Sequence, residues 1–143
     1  MIMPMNENLN KDLLEIALKR NELARLSYNS PEYDTVEEEL HSLEDEFDDN
    51  YGKYLEKVLT DIYKKLSSPT EIMLPIAYIA KKYNILHEEG SRDSRFDPPM
   101  NEGIVIDTRD GGHEITRLVI APNPTRMLMQ KGEKERTEVW VDE

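Results

Sequence analysis

Between Val36 and Leu66 nine apolar residues, Val36, Leu40, Leu43, Phe47, Tyr51, Tyr54, Val58, Ile62 and Leu66, recur every three or four positions. The stripe stays in phase at about 100° per residue with a slow drift. A strand, with its period of two, would scatter these residues over both faces; an α-helix gathers them on one side. Thr35 and Glu38 form the T-x-x-E pattern of a capping box, which places the helix at 35–66, roughly 45 Å at 1.5 Å per residue. Asn50 and Gly52 are its weak point, since a helical Gly costs about 1 kcal/mol relative to Ala. The phase carries across them, so a kink is the most they introduce. Only about two heptads keep a strict 3-4 repeat, too few for a long coiled coil.

A stripe of this length needs cover. Residues 9–27 offer it: Leu9, Leu13, Ile16, Ala17, Leu23 and Ala24 fall at helical spacing, with Asn8 or Asn10 available as N-cap. Arg20 shares that phase, and its stem can lie on apolar surface while the guanidinium reaches a carboxylate of an acidic partner helix. The turn residues YNSPEYD at 28–34 join the two segments into an antiparallel helical hairpin. Ser68 and Pro69 predict a short third helix within 69–83, which Pro75 either kinks or begins. Residues 84–102 lack sustained periodicity and include Gly90, Pro98 and Pro99; they read as a long loop, disordered or wrapped over the surface.

From Gly103 the pattern changes to short apolar runs between turns, GIVIDT, ITRLVIAP, NPTRMLMQ and TEVWVDE, with Asp110-Gly111 a hairpin signal. This predicts a four-stranded antiparallel β-meander over 103–143. Leu118 and Ile120, Met127 and Met129, and Val139 and Val141 form its inward face. Helices first and sheet second make an α+β fold, and 143 residues suit a single domain. No internal repeat is visible.

The net charge of -12 is concentrated in one place: Glu32 to Asp49 holds ten acidic residues and no Lys or Arg, which is -10 of the total. Such a chain repels phosphate backbones and anionic lipid, so neither nucleic acid nor membrane is expected as a direct partner. Basic residues form no dense cluster; Arg92, Arg95, Arg109, Arg117 and Arg126 are scattered. The chain has no cysteine, which removes disulfides, thiolate metal sites and cysteine nucleophiles and suits a reducing compartment. With no basic, apolar leader at its start, a cytoplasmic location is expected.

Few patterns in the chain bear on chemistry. Glu38-x-x-His41 is the spacing at which one helical face offers a carboxylate and an imidazole to a metal, and Asp45 lies one turn further on. No second E-x-x-H occurs, so the plainer reading is a solvated helix face carrying a surface histidine. His87 and His113 belong to no assignable triad, and neither G-x-S-x-G nor a phosphate-cradling glycine pattern is present. Asp97, Glu102 and Asp107 show no sign of the apolar pocket that general acid-base work requires. Trp140 and the helix tyrosines read as sheet or core residues. The last pattern is the acidic segment itself. A rigid helix bearing Glu37, Glu44, Asp45, Glu46, Asp48 and Asp49 presents charge to a basic protein partner. The expectation is therefore a small protein-interaction module, of adaptor or inhibitor type, without catalytic activity or cofactor. A metal- or small-ligand site near Glu38 and His41 is the alternative. A homodimer is a further candidate assembly if the long apolar stripe is left uncovered.

Overall fold

The computed structural model of the protein describes residues 5–87, 94–108 and 114–142. Two helices lead, α1 at Met5–Arg25 and α2 at Tyr33–Leu66. α2 is one unbroken helix through Asn50 and Gly52, and Val36, Leu40, Phe47, Tyr51, Leu55, Val58, Leu59, Ile62 and Tyr63 form its buried side. It begins two residues before the expected capping box because the loop supplies a start of its own. The amide of Ser30 donates to the Ser27 carbonyl and that of Tyr33 to the Ser30 carbonyl, so the first orphan N–H is satisfied before Thr35 is reached. α1 likewise starts ahead of Asn8 and Asn10, and neither caps it. Asn10 instead reaches across the molecule, where its Oδ1 accepts the Asn123 amide at 2.7 Å and the Thr125 hydroxyl at 2.9 Å.

α2 ends at Ser67, which adopts the left-handed conformation (φ 52°) and caps the last carbonyls through the amides of Ser67 and Ser68. The short third element expected within 69–83 is a single 3-10 turn at Pro75–Tyr78, which Pro75 begins and does not kink. Leu74 is extended ahead of Pro75, as a residue before proline prefers. Beyond the turn Ile79 is extended again and bridges Ile120 in parallel, while the Ala80 amide donates to the Tyr83 hydroxyl. Sheet contact thus takes over at Ile79, where the helical turn ends.

Residues 84–102 are not a plain loop. Strands β1 (Asn84–His87) and β2 (Ser94–Asp97) pair antiparallel, with Ile85 opposite Phe96; residues 88–93 between them lie outside the described residues. The main sheet follows in the order β3 (Ile104–Ile106), β4 (Thr116–Ala121), β5 (Arg126–Lys131), β6 (Glu135–Val141), antiparallel throughout. The Asp110-Gly111 turn also lies outside the described residues, although β3 and β4 pair on either side of it. Gly132, with φ 63°, makes the tight β5–β6 turn.

Cross-strand register puts Leu118, Ile120, Met127 and Met129 on one face, as predicted. β6 departs from prediction. A bulge between its pairings to Met127 and Leu128 makes Val139 the extra residue, so Trp140, opposite Met127, joins that face in place of the Val139 and Val141 alternation. Trp140 meets Tyr54 of α2 edge-on at 6.3 Å, which identifies this as the face beneath the helices. The opposite face is covered as well. β2 and residues 98–103 wrap across it, with Gln130 donating to the carbonyls of Pro99 and Glu102. Gly103 (φ 111°) passes so near β4 that a Cβ there would lie 2.5 Å from the Leu118 carbonyl oxygen. β4 and β5 are consequently buried on both sides, and one continuous cluster of apolar side chains runs from Leu9 to Leu128. α1 covers the first half of the α2 stripe and the 3-10 turn covers much of the second, so the stripe is closed within one chain. No helix among the described residues is long and apolar enough to cross a membrane.

Candidate interaction surface

The N-terminal half of α2 owes its position to α1, and two of its carboxylates are consumed in that docking. Lys19 pairs with Glu39 at 2.6 Å, which holds the Lys19 ammonium above its ordinary pKa. Arg20 does what its phase suggested. One Nη donates to the carbonyls of Ile79 and Ala80 at 2.8 and 3.0 Å, and the other reaches Glu44 at 3.0 Å. Arg20 therefore ties α1, α2 and the segment after the 3-10 turn together. Glu44 is 14% exposed and bonded, so it belongs to the scaffold and not to the free surface assigned to it from sequence.

The remaining members are differently placed. Glu38, Asp45, Glu46 and Asp49 are exposed, Glu37 and Asp48 half-buried, and none makes an ion pair with a cation of this chain among the described residues. Their spacing sorts them. Glu37, His41, Glu44 and Asp48 follow at i, i+4, i+7 and i+11 and share one flank of α2; Glu38, Asp45 and Asp49 form the adjacent outer ridge; Glu46 lies on the opposite flank, beside Lys19 and Glu39. The acidity thus covers the whole solvent arc of the helix over these turns. Glu38, His41 and Asp45 are all exposed, and among the described residues no three His, Asp or Glu side chains are arranged to hold a metal.

A groove of about 470 Å³ opens where the end of α1 meets the start of α2. Leu23, Ala24, Tyr33 and Leu40 supply its apolar lining, the Arg20–Glu44 pair and His41 lie along the α2 side, and Lys81 stands at its edge. Tyr28, 82% exposed, extends this apolar surface by packing its ring 5.3 Å from that of Tyr33. Sequence reasoning missed the groove. Its one sequence sign was the pair of tyrosines in the turn YNSPEY, which is more aromatic than a connecting turn requires.

The other candidates resolve into structure. Asp97 gathers Arg95, Arg126 and Arg136 around it, at 3.1, 2.7 and 3.8 Å. Glu102 accepts the Lys81 amide, and the amide of Asp107 donates to the Thr70 hydroxyl. Of the scattered arginines, Arg95 and Arg126 converge, Arg117 points its guanidinium at the Gly103 carbonyl, and Arg92 and Arg109 lie outside the described residues, as does His113. The cluster around the buried Arg126 was also missed, because Arg126 in the run RMLMQK reads as an ordinary outward strand residue. Comparison with protein-family models, with curated proteins and with solved structures finds no match to this chain.

Proposed function

We propose that the protein is a small cytoplasmic interaction module of adaptor or inhibitor type, without catalytic activity, that presents the carboxylates of α2 to a basic protein partner. The observation carrying this reading is the division of labour along α2. Glu39 and Glu44 fasten the helix to α1, while Glu37, Glu38, Asp45, Glu46, Asp48 and Asp49 have no cation of their own among the described residues. Charges held on a rigid, docked helix keep their mutual spacing, so an incoming basic surface is steered and oriented without first ordering the acidic one. Structural need explains Glu39 and Glu44, which hold α1, and Asp34 in the first turn, where the helix dipole favours a carboxylate. Those from Asp45 to Asp49 lie beyond its reach.

The test is a triple charge reversal, Asp45→Lys, Glu46→Lys and Asp49→Lys, which leaves the Arg20–Glu44 pair intact. Proteins captured by the wild type at low salt should be released at high salt, and the variant should bind them at least about tenfold more weakly. Capture that ignores both salt and reversal defeats the proposal.

A further inference from the structure

We infer that the groove between α1 and α2 seats one apolar side chain of the basic segment that docks along α2; the inference rests on the interaction role proposed above and names where the segment is anchored. Charge alone steers a partner but sets its register weakly, and the affinity of an interface is concentrated in a few side chains buried in pockets. The groove supplies an apolar pocket of this kind beside the acidic ridge. Its lining of Leu23, Ala24, Tyr33 and Leu40 is continued outward by Tyr28, an aromatic ring left almost wholly in solvent.

Charge selects the occupant. Glu37 and Asp48 lie on the same flank of α2 as His41, which lines the groove, and Glu38, Asp45 and Asp49 stand on the next ridge, while Glu44 is already paired with Arg20. An anionic ligand would have to cross that field, and Arg20 offers it nothing, since its Nη groups are already engaged with Ile79, Ala80 and Glu44. Lys81, which also lines the groove and repels a second cation, sets the direction. The basic residues of the segment run over α2, and its neutral residues face Lys81.

Two labelled synthetic peptides of twelve residues test this: one rich in lysine with a single central leucine, the other identical except for alanine at that position. Fluorescence anisotropy with wild type should show the leucine peptide binding about tenfold more tightly. In Ala24→Trp, which fills the groove, the advantage should vanish while the alanine peptide binds as before. Amide shifts of wild type on adding the leucine peptide, which need no variant, should centre on Ala24, Tyr33, Leu40 and His41. Equal binding of the two peptides, both lost in the Asp45, Glu46 and Asp49 reversal, or shifts confined to the outer ridge, would overturn the groove as anchor and leave the acidic surface standing. No binding of either peptide, or binding indifferent to the reversal, would overturn both.

Discussion

Arg126 is the residue on which the outer face of the sheet depends. Its side chain is 0% exposed; one Nη donates to the Pro122 and Pro124 carbonyls at 2.9 and 3.0 Å, the other to the Phe96 carbonyl and Asp97 at 2.8 and 2.7 Å. A single planar fork thus joins the β4–β5 turn to the strand wrapped over it, and Arg136 repeats the device one strand away by donating to the Pro98 carbonyl. Burial, and next the charge of Arg95, lower the Arg126 pKa, yet a guanidinium stays protonated at any ordinary pH. Arg126→Met should remove about 3–5 kcal/mol of stability, because it takes this donor from the Pro122, Pro124 and Phe96 carbonyls and leaves Asp97 to Arg95 and Arg136 alone. Urea denaturation reads this directly, and a loss under about 1 kcal/mol would mean that water replaces the fork. Arg126→Lys should fall between, since one ammonium cannot span both groups of acceptors. Strand alternation told correctly which way Arg126 points. It could not tell that the wrap would cover that side, because the covering residues 98–103 carry no periodicity of their own.

Among the elements, α2 was the most legible, and the reason is redundancy. Its nine-residue stripe repeats one signal over many turns, so a Gly and an Asn in the middle did not break it. The short elements have no such redundancy. Four residues of β1, four of β2 and one 3-10 turn are fixed by what they touch, and the sequence alone places them no better than a loop. The arginine that joins the helices was foreseeable from its phase, whereas the groove beside it arises from the crossing of two helix ends, which no periodicity encodes. Gly52 offers an element-scale test. A Cβ built there would approach Asp48 Oδ1 at 2.9 Å, the tip of a side chain that can swing aside, and the helix is otherwise unstrained. Gly52→Ala should therefore stabilise the protein by about 0.5–1 kcal/mol, read as a higher denaturation midpoint. A lower midpoint would show that Asp48 is held where it is.

Across the whole molecule, the core is fastened by tyrosine hydroxyls. Tyr63 and Tyr78 bond to each other at 2.6 Å, Tyr83 donates to the Ile120 carbonyl, Tyr51 to Asp12 and Tyr54 to Asp142. Burial first, and then the bond to Asp142, push the Tyr54 hydroxyl up to about 12; Tyr51, Tyr63 and Tyr83 are raised as well, again chiefly by burial. An unfolded chain releases these protons near pH 10, and the native state retains them, so above that pH the native state binds more protons than the unfolded one. Stability should be intact below pH 10 and fall as pH rises through about 12. Phenolate absorbance equivalent to these four tyrosines should appear together with loss of the helical circular dichroism signal; ionisation of all seven tyrosines of the chain with the helices intact would contradict the assignment. One further property follows from the clasp between Asn10 and the Asn123–Thr125 turn, which joins positions 113 and 115 residues apart. On the ribosome, α1 and α2 emerge together and can meet at once, but the sheet that finishes the second half of α2 is translated last. Residues 75–78 follow soon after and close over Tyr63, but until synthesis has passed Val141 the hairpin lacks β6, whose Trp140 packs on Tyr54, and that part of the stripe stays open to its surroundings.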